Sequence, residues 1–334
     1  MSDFRVRTSQ AGSVTLHHLQ DAQSGAEATV SAGYGFNLFD LKLPIGGRVR
    51  PILYAAEGFA TSPRDPARNG IPILFPFPNR IAGGRYTFGG KTYQLPINLK
   101  PNAIHGFVMD TPWEVTVFEA TPQGARITGR HILSQQAPAS LPLWPSDAVL
   151  EVTYTLAGRM LRMDIAVTNP TAHDLPYGFG IHPYFHLPLD PDSDNARTKV
   201  IIPASKRWVL NEFLPTGEVE PVPSELDFRQ GKPMKGLTLD DVFTGLEPEG
   251  QPQRRVCRLV DETLNAEVQL SFGPEFRELV AYTPPGDGRI ISLEPYTQTT
   301  DAINLQGRGI DAGLRVLKHG ERDELVIEFS TVDL

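Results

Sequence analysis

An all-β fold, arranged as a large antiparallel β-sandwich, is what this sequence predicts, on three observations. Apolar residues alternate with polar ones at a period of two in several separate segments, the pattern of strands with one wet face. Glycine and proline supply 30 residues each among 334, which punctuates short strands and would interrupt long helices. No window of about 12 residues carries the 3.6-residue period of an amphipathic helix.

Taken in chain order, Tyr86 to Leu95 reads as two short strands around Gly89-Gly90. Leu150, Val152, Tyr154 and Leu156 then face one way, opposed by Glu151, Thr153 and Thr155. After Ala157-Gly158-Arg159 the alternation resumes as Leu161, Met163, Ile165 and Val167, so the pair predicts a hairpin. Val268, Leu270 and Phe272 repeat the pattern, as do Leu325, Ile327 and Phe329. Pro183 to Pro191, Pro215 to Pro223 and Pro248 to Pro252 read as loops between strands. With no low-complexity linker or composition shift, a single domain over 1–334 follows, and the lack of a fixed repeat disfavours a propeller.

Charge and cysteine content narrow the function classes. The formal net charge is −8, from 31 basic and 39 acidic side chains. No basic stripe that could follow a phosphate backbone stands out, which argues against a nucleic-acid partner. The single cysteine, Cys257, cannot form an internal disulfide and reads as a small core residue. Met1 to Arg7 is not a secretory signal, and no apolar run approaches a membrane helix. A cytoplasmic protein without membrane partners is the expectation, and oligomeric state is left open.

Four segments place ionisable or polar side chains among strand and turn signals, where loops can present them to a ligand. In Phe75-Pro76-Phe77-Pro78-Asn79-Arg80-Ile81, two prolines and two aromatics stiffen the chain. There Arg80 offers a planar fork of donors suited to hydroxyls or a carboxylate. A surface ion pair is its competing reading. Asn102-Ala103-Ile104-His105-Gly106 is a turn whose histidine is either functional or structural.

The third segment, Gly178 to His186, carries His182 and His186 four residues apart. On a helix that spacing could hold zinc, but Pro183 and the aromatics favour extended chain, which parts the two by about 13 Å. No metal is expected. His182 instead reads as an imidazole among Phe179, Tyr184 and Phe185, able to exchange a proton near neutrality, or else as a satisfied core histidine. In the fourth, Ile290 to Tyr296, Glu294 ends an apolar strand that Pro295 is expected to stop. Burial there would raise the carboxyl towards the working range of a base, while hydrogen-bond donors would lower it. An edge charge that discourages strand pairing is the alternative.

Together these segments resemble the aldose 1-epimerase family, the galactose mutarotases and their relatives. The resemblance runs from about Arg68 to the C-terminus. It rests on Asn79-Arg80-Ile81, Pro101 to Gly106, His182-Pro183-Tyr184-Phe185, Leu239 to Thr244, and Leu293-Glu294 through Asp301-Ala302-Ile303-Asn304, in that order. Lys318-His319-Gly320-Glu321 and the strand at Leu325 resemble the family's closing turn and strand. The resemblance implies a supersandwich that binds a sugar in a cleft and exchanges α and β anomers without metal or cofactor. It also implies Glu294 as base and His182 as acid, with Arg80, His105, Asp240 and Asn79 holding the sugar. Within Asp240-Asp241-Val242-Phe243 the register is open by one residue, and Asp240, three before Phe243, is the expected ligand. Many galactose mutarotases carry a glutamine before the segment corresponding to Ala281-Tyr282-Thr283, where this chain has Val280, so galactose preference does not carry over.

Two other readings compete. A hexose-6-phosphate epimerase would need extra cations for the phosphate, which Arg48, Arg50, Arg64 and Arg68 could supply. A non-catalytic sugar-binding module would need neither an acid nor a base.

Overall fold

Two large antiparallel sheets and a smaller one organise the chain, seen in a computed structural model that describes residues 3–233, 236, 238–285 and 288–334. The nine-stranded sheet runs in the order Glu114–Thr121, Gly124–Ile132, Val149–Ala157, Met160–Thr168, Arg322–Asp333, Ala266–Phe272, Arg255–Asp261, Thr198–Ile201, Lys232–Pro233. The eight-stranded sheet is ordered Leu214–Pro221, Ala204–Asn211, Asp240–Leu246, Glu278–Tyr282, Ile290–Tyr296, Gly180–Ile181, Ile73–Leu74, with Tyr184–His186 also paired to Ile290–Tyr296. A five-stranded meander covers Phe4–Ala11 through Arg48–Pro51. The all-β, antiparallel expectation holds. Among the described residues the α-helices are Leu133–Gln136 and Ala302–Gly307. None is long and apolar enough to cross a membrane.

Alternation decides what each strand buries. Leu150, Val152, Tyr154 and Leu156 pair across the expected hairpin with Leu161, Met163, Ile165 and Val167, and all are buried in one core. The same core takes Leu279, Ala281, Ile291 and Leu293 from the eight-stranded sheet, so the two sheets enclose it between them. Fully burying such a side chain contributes about 1.5–3 kcal/mol. The alternate residues Glu278, Val280, Tyr282, Ser292, Glu294 and Tyr296 therefore point to the other face of that sheet. Between Arg85–Phe88 and Lys91–Gln94, Gly89 and Gly90 adopt φ of +57° and +77°, the two positive angles that a tight hairpin turn requires.

Three proline expectations need correction. Leu214–Pro221 is a strand, because it lies at the sheet edge, where one row of N–H groups faces outward and proline removes no ladder bond. Tyr184–His186, inside the first proline-rich stretch, is also a strand. Pro295 does not stop its strand, which continues to Tyr296. Thr297, two residues on, donates its N–H to the Phe179 carbonyl, so the donor missing at 295 would point the same way. On that side Ile290–Tyr296 meets two separate short strands, Gly180–Ile181 at residue 296 and Tyr184–His186 at residues 290–292. The gap between them needs no donor.

Candidate functional site

Glu294 is the centre of the site's geometry. Its side chain is 1% exposed on the sheet face opposite the main core. Tyr296, two residues on and therefore on the same face, donates its hydroxyl to Glu294 Oε2. Oε1 lies 3.0 Å from His182 Nε2 but accepts no aligned hydrogen bond among the described residues. Burial raises the Glu294 carboxyl well above its usual range. The Tyr296 hydroxyl opposes this, Asp240 adds to it, and the Ser292 hydroxyl and Arg80 oppose it.

His182 follows the two-residue strand Gly180–Ile181, and its main-chain N–H is fixed by the Pro72 carbonyl. Nδ1 lies 2.8 Å from Ser292 Oγ. The ring stacks on Tyr184 at 4.7 Å and meets His105 edge-on at 5.6 Å. Of the three aromatics expected around it, only Tyr184 touches the ring. Phe185 packs on Phe329 and Phe179 on Phe276, because residues of opposite parity point into the main core. His186 turns to Tyr54, not to His182. Burial lowers the imidazolium of His182.

Asn79 and His105 come from two short strands that pair Arg80 with Ile104 and Ile81 with Ala103. The Asn79 N–H donates to His105 Nδ1 at 3.2 Å, so a neutral His105 keeps its hydrogen on Nε2. Asn79 Oδ1 accepts from the Arg80 main chain at 2.8 Å and from Arg80 Nη1 at 3.0 Å, which aims the guanidinium. Arg80 Nη2 sits 3.7 Å from Asp240 Oδ2, and its carbon lies 4.8 Å from the centre of the Phe213 ring. Gly106 permits the close turn: at φ +73° an added Cβ would stand 2.0 Å from the Phe75 carbonyl oxygen. Burial, then His182 and Arg80, hold the His105 imidazolium well below its usual range.

Asp240 lies in register with Tyr282, and Tyr282 with Ser292, which places Asp240 on the face that carries Glu294. Asp241 points the other way and pairs with Arg207 at 3.1 Å. Burial raises the Asp240 carboxyl, with Arg80 opposing and Asp241 adding. A cleft of about 340 Å³ opens beside Asp240, lined in part by Trp208, Phe213 and Asp240 and also by the Arg207–Asp241 pair.

All six residues expected at a site, Asn79, Arg80, His105, His182, Asp240 and Glu294, thus converge. Ser292, Tyr296, Tyr282 and Phe213 were not anticipated. Ser292 and Tyr296 had a signal, since the period of two around Glu294 places both on its face. Tyr184 stands in the same relation to His182. Phe213, 53% exposed at a hairpin tip between Ala204–Asn211 and Leu214–Pro221, had none. The group can position hydroxyls with Arg80, Asp240 and His105 while a carboxyl and an imidazole exchange protons beside them.

Comparison with known proteins identifies the family. The family described as Aldose 1-epimerase matches residues 17–330, beginning well before Arg68, where the resemblance in the sequence starts. The uncharacterized protein YphB of Escherichia coli K12 is 28% identical over 260 residues, 70% of this chain and 82% of that protein. YihR of the same strain, also uncharacterized, is 31% identical over 51% of this chain and 53% of its own length. Mouse galactose mutarotase is 32% identical over 43% of this chain and 40% of its own. The chain therefore spans about half or less of the last two. A galactose mutarotase-like protein from Clostridium acetobutylicum superposes with a TM-score of 0.90 at 24% identity, covering 99% of both chains. A galactose 1-epimerase from Lactobacillus acidophilus does so at 0.74 and 16%, covering 100% and 99%. At these identities the structures speak to the fold alone.

Proposed function

The chain belongs to the aldose 1-epimerase family, and from that premise we propose that it interconverts the α and β anomers of an aldose, with Glu294 as base and His182 as acid. Opening a pyranose removes the proton from the anomeric O1 hydroxyl and delivers one to the ring oxygen O5. O1 and O5 are bonded to the same carbon, so the groups that serve them must end close together. The observation that carries the reading is this closeness, 3.0 Å between Glu294 Oε1 and His182 Nε2, with Oε1 accepting no aligned hydrogen bond among the described residues.

The sequence of events follows. Glu294 takes the O1 proton as the C1–O5 bond breaks, and His182 gives a proton to O5. The aldehyde carbon rotates, and closure from its other face reverses both transfers. Arg80, Asp240 and His105 hold the other hydroxyls through that rotation, with Asn79 steering Arg80. Tyr296 stabilises the carboxylate form of Glu294. The test is polarimetry of a freshly dissolved α-aldose: Glu294→Gln should nearly abolish mutarotation while sugar binding survives. Near wild-type rates in that variant would remove Glu294 as the base.

A second reading, an anionic aldose such as a hexose 6-phosphate, has one observation in its favour. The exposed Arg68 guanidinium forms no ion pair among the described residues, and its charge reaches Tyr184 and Tyr282. Arg50, by contrast, is committed to Asp190. Rates on glucose and glucose 6-phosphate separate the two readings. An acid and base held this close weigh against a purely sugar-binding role, for which neither is needed.

A further inference from the structure

We propose that Ser292 is a positioning residue that holds His182 in its Nδ1–H tautomer, so that Nε2 is the ring nitrogen that exchanges protons and the His182–Glu294 pair carries a single proton through the reaction. The proposal rests on the reading of that pair as acid and base.

The argument is a count of hydrogens. Ser292 is fully buried, and its one hydroxyl hydrogen goes to the Pro183 carbonyl at 2.9 Å, an oxygen that can only accept, and not to Glu294, whose carboxyl Ser292 also lowers but with which it makes no aligned hydrogen bond. The same Oγ is 2.8 Å from His182 Nδ1. With its hydrogen committed, Oγ can only accept there, so Nδ1 bears a hydrogen. Tyr184 is constrained alike: its hydroxyl donates to the Ala67 carbonyl at 2.7 Å, so at 3.5 Å from Nε2 it can only accept. No donor from Ser292 or Tyr184 is therefore available to a bare Nε2.

A neutral His182 then presents a lone pair to Glu294 Oε1 at 3.0 Å. An ionised Glu294 beside it would set two lone pairs against each other in a dry site, and one proton between them removes the conflict. Two arrangements satisfy the count: carboxylate with imidazolium, or carboxylic acid with imidazole. These are the states of the pair before and after ring opening, since Glu294 gains the O1 proton as His182 gives one to O5. The pair keeps one proton throughout, and no exchange with solvent is required between opening and closure.

The groups facing the pair come from every element packed on it. They are Tyr296 on the Glu294 strand, Tyr282 on the neighbouring strand, Tyr184, His105, and the charges of Arg80 and Asp240. Arg68 acts more remotely through the tyrosines. Asp240 favours a protonated Glu294 and Arg80 an ionised one, and His105 resists a second imidazolium beside it. None of these groups fixes the tautomer; among the described residues Ser292 is the side chain that meets Nδ1, and the backbone of His182 itself adds to the hold on a protonated ring.

The test is ¹⁵N NMR of the full chain labelled in histidine, with the His182 signals assigned by their loss in His182→Gln. Wild-type protein should show Nδ1 of His182 protonated and Nε2 responsive to pH. In Ser292→Ala the neutral ring gains access to the Nε2–H tautomer, and both forms should appear. The imidazolium gains no such escape, so proton affinity falls. The high-pH limb of mutarotation should move down by about one unit, with kcat reduced about tenfold and KM little changed. Ser292→Thr, which keeps the hydroxyl, should restore the Nδ1–H signal.

A wild-type His182 with Nε2–H and bare Nδ1 would overturn the proposal without any Ser292 variant. So would an unchanged tautomer and pH profile in a folded Ser292→Ala. The tautomer is read without substrate. Protein that shows the Nδ1–H tautomer but accelerates no aldose therefore refutes the proposed function and the proton cycle, while active protein with the opposite tautomer refutes the role of Ser292 alone.

Discussion

Replacing Tyr296 with phenylalanine removes one oxygen from a fully buried ring and leaves its packing against Leu74, Trp208, Val242 and Val280 in place. What is lost is the hydrogen bond to Glu294 Oε2, the largest of the effects that hold the carboxyl down. Hydrogen bonds to charged groups contribute about 1.5–3 kcal/mol. At about 1.4 kcal/mol per tenfold, the loss corresponds to roughly 10- to 150-fold in the concentration of ionised Glu294. The sign is set by the direction of the bond's effect, which lowers a carboxyl that burial has raised. Without it the carboxyl rises further, and the acid limb of mutarotation moves to higher pH by about one to two units. The assay is the initial polarimetric rate on an α-aldose across pH, with thermal melts to confirm folding. A rate within twofold of wild type and an unmoved acid limb, in a folded variant, would refute the argument that Tyr296 sustains the base.

Asp240→Asn should raise KM at least several-fold and Asp241→Asn should leave it unchanged, because only Asp240 shares a face with Glu294; the reverse result in steady-state polarimetry would mean the register is misassigned. Glu278, buried beside Trp208 with one oxygen unpartnered, has its carboxyl pushed up to about 8, chiefly by burial. A folded-state value above the unfolded one stabilises fully below the unfolded value and is lost as pH rises through the folded one. Wild-type protein should therefore lose on the order of 4–5 kcal/mol between about pH 4.5 and 8 from this group. Glu278→Gln should flatten the melting temperature over that window, and parallel curves for the two proteins would refute the assignment. Gly106→Ala should cost about 3 kcal/mol or more and lower the melting temperature by many degrees, because its Cβ meets the Phe75 carbonyl at a backbone angle disfavoured for alanine; a melt within a degree or two of wild type would show that the turn relaxes cheaply.

The strands that alternate cleanly were legible because period-two patterning depends only on local sequence. The Leu150–Leu156 and Leu161–Val167 hairpin closes in the expected register for that reason. Proline was misleading wherever its cost depends on a neighbour. Pro215 and Pro221 sit in an edge strand, and Pro295 borders a gap between two short strands, which are facts of sheet order and not of composition.

The residue types of the site were legible too, since an arginine on a stiffened loop, a histidine beside proline and a glutamate in an apolar strand are each unusual where they stand. Roles came only from the family resemblance, and burial and mutual contacts were not legible at all. Whether Glu294 is an edge charge or a buried one depends on which strands flank it, and Glu278–Tyr282 on one side with Gly180–Ile181 and Tyr184–His186 on the other make it buried. The choice between Asp240 and Asp241 needed the pairing that puts Asp240 in line with Tyr282 and Ser292. The contact of Ser292 with His182 joins residues 110 apart. Local sequence determined the strands, their wet and dry faces, and the chemical groups available. Tertiary structure alone decided which of those groups meet and which lose their water, because both follow from strand order and burial, and those are set by the packing of segments far apart in the chain.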